Sequence, residues 1–316
     1  MGNPTVSVIM PAFNAEKTIV DSIRSVVQQT YPDWQLIIVD DASADGTIET
    51  ASEFLDDPRV NLIRVPKNSG MSHSRNLGAS ESTGEFLAFL DSDDLWAPRK
   101  LELQVKLHAT RLDFHISHTA FDEFDYAGKH KTPWRQLVTP SKKKRGELLP
   151  ALYYNNIIGT LTVMMKRSLF ERMNGFNSEL FAVEDLDLWL RVAEGGFSFG
   201  YIDEVLASYR FNPTGASKRV EEYENSVTKF IDLRILNDKR IPISVKRRVQ
   251  GAHFLMFGRL HSANGDFIKA ERYLARAVVN KAFNCASLVA SILFLIQNTV
   301  QIILGWFHLK VVERNP

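Results

Sequence analysis

The sequence predicts an α/β fold with a mostly parallel central sheet, followed by a helical C-terminal region. Apolar runs typical of buried strands alternate four times with helical patterns in the N-terminal third of the chain. Two of these runs end in clustered carboxylates, at Asp40-Asp41 and at Asp91-Ser92-Asp93-Asp94. Beyond Pro213, long helical patterns replace the strands that end in acidic residues.

Length and composition limit the classes of protein to consider. The chain has 316 residues, enough for two domains, and we expect a domain over residues 1–212 and a helical region over residues 213–316. With 38 Lys+Arg against 37 Asp+Glu, the net charge of +1 does not favour a nucleic-acid-binding protein. A single cysteine, Cys285, and the lack of a signal-peptide pattern lead us to expect a cytoplasmic protein.

The elements of the first third can be assigned in order. Val6 to Met10 is a strand that Pro11 should end, and Asn14 can cap the following helix. Later strands are expected at Trp34 to Val39, Val60 to Val65 and Glu85 to Leu90, with helices at Glu16 to Gln28, Thr47 to Leu55 and between Asn68 and Gly84.

The acidic run after Leu90 is the most informative stretch. Because side chains alternate along a strand, Asp91 and Asp93 are expected to point the same way. Adjacent carboxylates repel one another, and a divalent cation neutralises them most simply. Open α/β sheets also bind ligands at the carboxyl ends of their strands. The alternative is an acidic turn that caps the helix beginning near Pro98.

Phosphate-binding glycine loops are missing from the sequence. No G-x-G-x-x-G follows the first strand, and no G-x-x-x-x-G-K-[ST] occurs anywhere. A bound diphosphate would therefore need a metal, and a cation could bridge Asp93 to the phosphate oxygens.

The second half of this region continues as mixed strands and helices. A helix beginning at Glu184-Asp185 is apolar on more than one face, so it should be largely buried as far as Gly195. Carboxylates at a helix N-terminus are stabilised by the helix dipole, which explains this acidic pair without a catalytic role. Other elements are expected at Leu101 to Leu112 (helix), Phe114 to Phe124 (strand or loop), Gly159 to Met165 (strand), Arg167 to Met173 (helix) and Tyr201 to Phe211 (strand).

Five motifs in this order resemble the inverting family-2 glycosyltransferases, which have the GT-A type (Rossmann-like) nucleotide-sugar-binding domain. The resemblance extends from Val6 to about Arg210. The motifs are VSVIMPAFN from Val6 to Asn14, VDDAS from Val39 to Ser43, NSG at Asn68 to Gly70 with Arg75-Asn76, DSDD from Asp91 to Asp94, and EDLDLWLR from Glu184 to Arg191.

The resemblance implies a set of donor-binding residues. Asp41 accepts a hydrogen bond from uracil, Arg75 lies near the base or the phosphates, and Asp91 meets the ribose. The other implied donor-binding residues are Pro11, Ala12, Phe13, Asn14, Asn68, Gly70 and Ser92. For Asp40, a turn-capping role is as good an interpretation as a ligand role.

The resemblance also implies the metal ligands and the base. Asp93 binds Mn²⁺ or Mg²⁺, and Asp94 is a secondary ligand. Inversion at the anomeric carbon needs one base for the acceptor hydroxyl, and the resemblance places it on the acidic pair. We choose Asp185, with Glu184 orienting the acceptor or supporting Asp185. Many relatives carry a histidine where Asn212 stands, so a histidine ligand is not expected.

The function implied is metal-dependent transfer of a sugar from a nucleotide donor, a UDP-sugar, to a hydroxyl of a glycan or lipid-linked glycan in surface polysaccharide assembly. One alternative is a sugar nucleotidyltransferase, which should have a glycine-rich, Arg-containing loop where Pro11 to Asn14 stands. The other is a non-catalytic nucleotide-sugar-binding scaffold, which retention of both acidic motifs disfavours.

The sequence of the C-terminal region predicts helices, one of which is a candidate for a membrane contact. Val249 to Val279 resembles one tetratricopeptide-like hairpin turning at Gly265, too few for a repeat array. Cys285 to Leu309 is very apolar, yet polar residues in its middle disfavour a membrane span. It is interpreted equally well as a peripheral helix on the inner face of the membrane or as a packed helix.

The basic run from Lys142 to Arg145, in the N-terminal region, is a solvated loop or a contact with anionic lipid. The sequence does not indicate an oligomeric state.

Overall fold

The computed structural model describes residues 5–125, 128–131, 146–154, 156–211 and 219–280. The chain divides into two compact units, Met1–Gly215 and Ala216–Pro316. The expected domain boundary at residue 212 falls outside the described residues, as do Asn212, the basic run from Lys142 to Arg145 and the apolar segment from Cys285 to Leu309.

The N-terminal unit combines strands with helices. Its strands are β1 Val6–Ala12, β2 Trp34–Asp40, β3 Val60–Arg64, β4 Phe86–Phe89, β5 Leu95–Trp96, β6 Phe114–Phe124, β7 His130–Lys131, β8 Met164–Lys166 and β9 Ser198–Arg210. Its helices are α1 Ile19–Val27, α2 Thr47–Ser52, α3 Met71–Ser80, α4 Lys100–Thr110, α5 Leu149–Leu152, α6 Arg167–Arg172 and α7 Glu184–Glu194, with a 3₁₀ helix at Thr160–Thr162.

These strands form one mixed sheet. The order is β3-β2-β1-β4-β8-β6-β9-β5, with β7 paired to β6. Strands β1 to β4 are parallel, as the alternation of strands and helices predicts. Strand β8 runs antiparallel to β4 and β6, and β5 runs antiparallel to β9. The carboxyl ends of β1, β2 and β4 therefore meet at one edge, where the acidic loops begin.

The centre of the sheet is apolar because helices cover it. Strand β1 is buried along its whole length and β4 likewise, which explains their uninterrupted apolar runs. Helix α3 lies close against the sheet at Gly78, where an added Cβ would stand 2.6 Å from Cγ2 of Ile9. This close packing fixes the position of Arg75, one turn earlier on α3.

Two expectations for strands were wrong. Strand β1 does not end at Pro11 but continues to Ala12. The β4 side of β1 is paired only as far as Ile9, which lies opposite Phe89. Because no strand is paired on that side at Pro11, the missing N–H of proline costs no hydrogen bond there. The expected strand from Gly159 to Met165 is instead the 3₁₀ helix followed by β8, because the hydroxyl of Thr162 and its own N–H both donate to the carbonyl of Gly159.

The C-terminal unit is helical in its described part. It contains α8 Val220–Ile231, a π-helix at Asp232–Leu236, α9 Ile243–Ala263 and α10 Phe267–Val279. Helices α9 and α10 form the predicted hairpin, with Gly265 between them at a φ of +81°. In the described part of the chain, no helix is both long and apolar enough to cross a membrane.

Candidate active site

The loops after β1 and β2 are joined by hydrogen bonds. The backbone N–H of Asn14 donates to Oγ of Ser43 (2.9 Å), and the N–H of Ala44 donates to Oδ1 of Asn14 (2.9 Å). Asn14 has a φ of +52°, a region that asparagine tolerates better than most residues. Helix α1 begins only at Ile19, without a side-chain cap, so the expectation that Asn14 caps it was wrong. Asn14 instead joins two loops at the carboxyl edge.

The four residues expected to line the nucleobase pocket differ in exposure. Pro11 and Ala12 are buried in β1, whereas Phe13 and Asn14 are exposed. Half of the Phe13 surface is exposed, at 50%, which is unusual for a phenylalanine beside a polar loop. Phe13 therefore offers an aromatic surface at the edge where the loops meet.

Asp41 organises the loop that leads into α3. Its Oδ1 accepts the N–H of Ser69 and its Oδ2 accepts the N–H of Gly70, both at 2.8 Å. Gly70 has a φ of +88°, which favours glycine. Each carboxylate oxygen keeps a further lone pair, so the contact with uracil stays a prediction. Asn68, also expected at the donor, is exposed beside this loop.

Asp40 makes a turn-capping contact, one of the two roles that the sequence allowed. Its side chain is fully buried, and Oδ2 accepts the N–H of Ser43 at 3.2 Å. The guanidinium of Arg64 is 3.9 Å from the same oxygen. These contacts stabilise the turn after β2.

The acidic run forms a turn. Strand β4 ends at Phe89, and the N–H of Asp94 donates to the carbonyl of Asp91 at 3.1 Å. Strand alternation therefore does not apply to Asp91 and Asp93, and the argument from alternating faces was wrong. Ser92 is buried within the turn. Burial, followed by the charge of Asp91, raises the pKa of Asp93 to about 6.

Asp94 ties this turn to the last strand of the sheet. Its Oδ1 accepts the N–H of Arg210 at 2.9 Å, and Nε of Arg210 donates to the carbonyl of Asp93 at 2.8 Å. Oδ2 of Asp94 is buried without a hydrogen-bond partner among the described residues. Burial, and then the charges of Asp93 and Asp91, raise the pKa of Asp94 well above its ordinary value. Sequence reasoning missed Arg210, which lies far from the acidic run along the chain.

The acidic turn fits a divalent cation that shares its ligands with a substrate. In the parts of the chain described, no group of three or more His, Cys, Asp or Glu side chains is arranged to hold a metal by itself. Burial and the charge of Asp91 raise the pKa of Asp93 in spite of the charges of Arg210 and Arg75, and Oδ2 of Asp94 accepts no hydrogen bond from the described residues. Mg²⁺ and Mn²⁺ prefer oxygen ligands and are often held by one or two carboxylates with substrate phosphates.

A buried arginine joins the acidic turn to the second acidic pair. Nη2 of Arg75 is 2.6 Å from Oδ1 of Asp91, and Nη1 is 2.8 Å from Oε1 of Glu184. The side chain of Arg75 is 2% exposed. Burial opposes its charge, but Asp91 and Glu184 outweigh burial and raise the pKa of Arg75. From the sequence, Arg75 was expected near the nucleobase or the phosphates, and its pairing with two protein carboxylates was not predicted.

The acidic pair lies at the start of α7, as predicted. Glu184 is buried, and its Oε2 has no hydrogen-bond partner in the described part of the chain. Burial raises the pKa of Glu184, and Arg75 opposes that rise. Asp185 is partly exposed, and burial raises its pKa as well.

Two side chains that no motif marks hold the carboxylate of Asp185. Nδ2 of Asn156 is 2.8 Å from Oδ2, and Oγ1 of Thr160 is 3.1 Å from the same oxygen. Oδ1 accepts the N–H of Leu186 at 2.6 Å. Asn156 precedes the 3₁₀ helix and Thr160 begins it, and neither belongs to a sequence motif, so sequence patterns gave no signal for them.

Comparison with known proteins identifies the family of this chain. The family described as Glycosyl transferase family 2 matches residues 7–173, more than half of the chain. The chain belongs to glycosyltransferase family 2. It is therefore a glycosyltransferase, and its catalytic domain has the GT-A fold.

Relatives of this family-2 glycosyltransferase include two bacterial proteins. EpsE of Bacillus subtilis (strain 168) is 32% identical over 76% of this chain and 85% of its own length. The Escherichia coli protein WfgD, a UDP-Glc:alpha-D-GlcNAc-diphosphoundecaprenol beta-1,3-glucosyltransferase, is 36% identical over 61% of this chain and 71% of its own length.

Solved structures share the fold at low sequence identity. S. aureus TarS 1-349 in complex with UDP-GlcNAc gives a TM-score of 0.63 at 18% identity, over 87% of this chain and 81% of that chain. The mannosyltransferase PcManGT from Pyrobaculum calidifontis, in complex with GDP-Man and Mn²⁺, gives 0.64 at 20% identity, over 96% of this chain and 86% of that chain. These likenesses concern the fold alone.

Proposed function

We propose that this glycosyltransferase transfers a sugar from a UDP-sugar to a hydroxyl of a lipid-linked glycan, with inversion and with a divalent metal. The observation that carries the proposal is the pairing of Arg75 with Asp91 and Glu184, which links the two acidic motifs in one site. The printed activity of WfgD, with a UDP-sugar and a diphosphoundecaprenol-linked glycan, supports the same donor and acceptor classes here.

The acidic turn supports the metal part of the proposal. Asp93 would bind Mn²⁺ or Mg²⁺, and the unpaired Oδ2 of Asp94 supplies a second oxygen. When bound, the metal would stabilise charge on the leaving diphosphate. Arg210 orients the turn through the backbone of Asp93 and the carboxylate of Asp94.

The loops after β1 and β2 support binding of a nucleobase. The exposed ring of Phe13 offers a surface on which a base can stack, and Asp41 offers a carboxylate oxygen to a ring N–H. The hydrogen bonds between the loops through Asn14 keep this surface ordered before a donor arrives.

The start of α7 supports a base on the acceptor side. Oε1 of Glu184 is paired with Arg75, whereas Asp185 is partly exposed and forms no salt bridge with a cation of the described residues. Asp185 is therefore better suited to take the hydroxyl proton, and Glu184 to position Arg75.

A nucleotide-sugar panel tests the proposal. The full-length protein is incubated with Mn²⁺ and UDP-glucose, UDP-GlcNAc or GDP-mannose, and the released nucleotide is measured. We expect slow hydrolysis of a UDP-sugar, its loss when EDTA removes the metal, and a fall of at least about 10² in Asp185→Asn. The surface variant Asp113→Asn, more than half exposed, is the matched control.

Two outcomes would favour the alternatives. Donor binding without turnover on water or on any glycan acceptor would support a non-catalytic scaffold. Release of pyrophosphate from a sugar phosphate and UTP would support a nucleotidyltransferase. Full activity of Asp185→Asn would contradict the assigned base.

A further inference from the structure

The two oxygens of the Asp185 carboxylate are held differently. Oδ2 accepts two hydrogen bonds, from Nδ2 of Asn156 and Oγ1 of Thr160. Oδ1 accepts one, from the N–H of Leu186. A carboxylate oxygen has two lone pairs, so within the described residues Oδ2 is saturated and Oδ1 keeps one lone pair.

Both donors to Oδ2 are fixed by other contacts. Oδ1 of Asn156 accepts the N–H of Ile158 at 3.3 Å, which turns its amide nitrogen towards Asp185. The 3₁₀ helix that carries Thr160 is anchored through its carbonyls. The indole of Trp96 donates to Leu161 O at 2.7 Å, and the amide of Gln104 donates to Thr162 O at 3.1 Å. Side chains held in this way can fix the orientation of a carboxylate.

We propose that Asn156 and Thr160 are positioning residues that occupy Oδ2 of Asp185 and leave Oδ1 to take the proton of the acceptor hydroxyl. The inference rests on the proposed role of Asp185 as the base. In the transfer, the hydroxyl oxygen forms a bond to the anomeric carbon while its proton passes to Oδ1. The bond from the anomeric carbon to the diphosphate breaks, and its electron pair leaves with the diphosphate.

The same contacts favour the ionised form of Asp185. Burial raises the pKa of Asp185, and hydrogen bonds from Asn156, the Leu186 N–H and Thr160 oppose that rise. The charged groups facing the carboxylate are Arg75 from α3 and Glu184 in the same helix. Helix α5 and the 3₁₀ helix contribute no ionisable side chain. The neutral donors therefore act together with the charge of Arg75 in favouring the ionised carboxylate.

Direct titration of Asp185 tests the inference without relying on turnover. The full-length protein is labelled with ¹³C-carboxyl aspartate, and its carboxyl resonances are followed by NMR against pH. The Asp185 resonance is identified by its absence in Asp185→Asn. We expect Thr160→Val and Asn156→Ala each to raise the proton affinity of Asp185 about tenfold, because each removes a hydrogen bond to the ionised form.

Two further variants separate positioning from general damage. Thr160→Ser keeps the hydroxyl and should restore the wild-type titration. Thr119→Val makes the same substitution at a buried threonine outside this 3₁₀ helix, whose hydroxyl donates to Ala120 O at 2.9 Å, and should leave Asp185 unchanged. Urea unfolding confirms that each variant is folded.

Unchanged titration of Asp185 in both Thr160→Val and Asn156→Ala would overturn the inference. An equal shift in Thr119→Val would overturn it too, because the effect would then be unspecific. The proposed base is judged separately, by nucleotide release from a UDP-sugar in Asp185→Asn. Turnover that survives in Asp185→Asn rejects the base, whereas lost turnover with no titration shift rejects only the positioning role.

Discussion

Nη1 of Arg75 lies 2.8 Å from Oε1 of Glu184, and both side chains are almost completely buried. The two residues are 109 positions apart in the chain. A buried carboxylate that loses its only cation is costly, commonly about 3–5 kcal/mol. Removing one partner of this pair is therefore expected to destabilise the fold as well as to disturb the arrangement of the site.

The first prediction concerns that pair. Arg75→Met should lower the free energy of unfolding by about 3–5 kcal/mol, because Glu184 would remain buried without a partner. Arg75→Met combined with Glu184→Gln should lose less than the sum of the single changes, as measured by urea unfolding. Arg111→Met, at an exposed pair with Asp113, should change little. Strict additivity of the two changes would contradict the coupling.

The second prediction concerns the metal. Asp93→Ala should abolish metal-dependent binding of UDP while the protein stays folded. A metal needs the ionised carboxylate, and the pKa of Asp93 is about 6, so the affinity for Mn²⁺ in the presence of UDP should fall as the pH drops below about 6. Calorimetry between pH 5 and 7.5 measures this, and equal UDP affinity with and without Mn²⁺ would reject the assignment.

The third prediction concerns which nucleobase the donor pocket prefers. If Asp41 accepts from the ring N–H that uracil offers, as proposed, UDP should outcompete ADP and CDP by at least about tenfold, the size of one lost hydrogen bond. Ligand comparison is a cleaner test than mutation, since Asp41→Asn would place an amide against a backbone N–H. Equal binding of the three nucleotides would restrict Asp41 to a structural role.

The fourth prediction concerns Lys100, which is fully buried. Its Nζ contacts Oε1 of Gln104 at 2.8 Å and the ring of Trp96 at 3.9 Å, yet burial lowers its pKa well below the ordinary value. Between the folded pKa and the unfolded value of about 10.4, the unfolded chain binds more protons, so stability should rise with pH.

Lys100→Met should remove that rise. Urea unfolding at pH 7, 8 and 9 should show the free energy of unfolding of the wild type increasing relative to Lys100→Met, by up to about 1.4 kcal/mol per pH unit. Lys106→Met, at an exposed position of the same helix, is the matched control. Parallel pH profiles for the wild type and Lys100→Met would show that Lys100 is charged in the folded protein.

The fifth prediction concerns the apolar segment from Cys285 to Leu309. If this segment lies on the inner face of the membrane, the full-length chain should float with anionic liposomes, and a chain ending near Val279 should not. Aggregation of the shortened chain, without flotation of the full chain, would favour a packed helix instead.

Local patterns in the sequence determined most of the secondary structure of the described residues and the positions of the acidic runs. Alternating apolar and helical segments predicted the parallel strands β1 to β4, because period and burial are properties of neighbouring residues. The acidic runs after β2 and β4 predicted that their side chains would lie at one edge of the sheet, since parallel strands bring their carboxyl ends together. The helix from Glu184 and the hairpin about Gly265 also followed from local spacing.

Only the tertiary structure decided which partners these residues have. Arg75 with Glu184, Arg210 with Asp94, and Asn156 with Asp185 are pairs separated by long stretches of chain. Hydrogen bonds of this kind depend on where the packed strands and helices place each side chain, and residue spacing does not contain that information. The 3₁₀ helix after Gly159 likewise combines local bonds from Thr162 to the Gly159 carbonyl with bonds that Trp96 and Gln104 donate to its other carbonyls from distant elements.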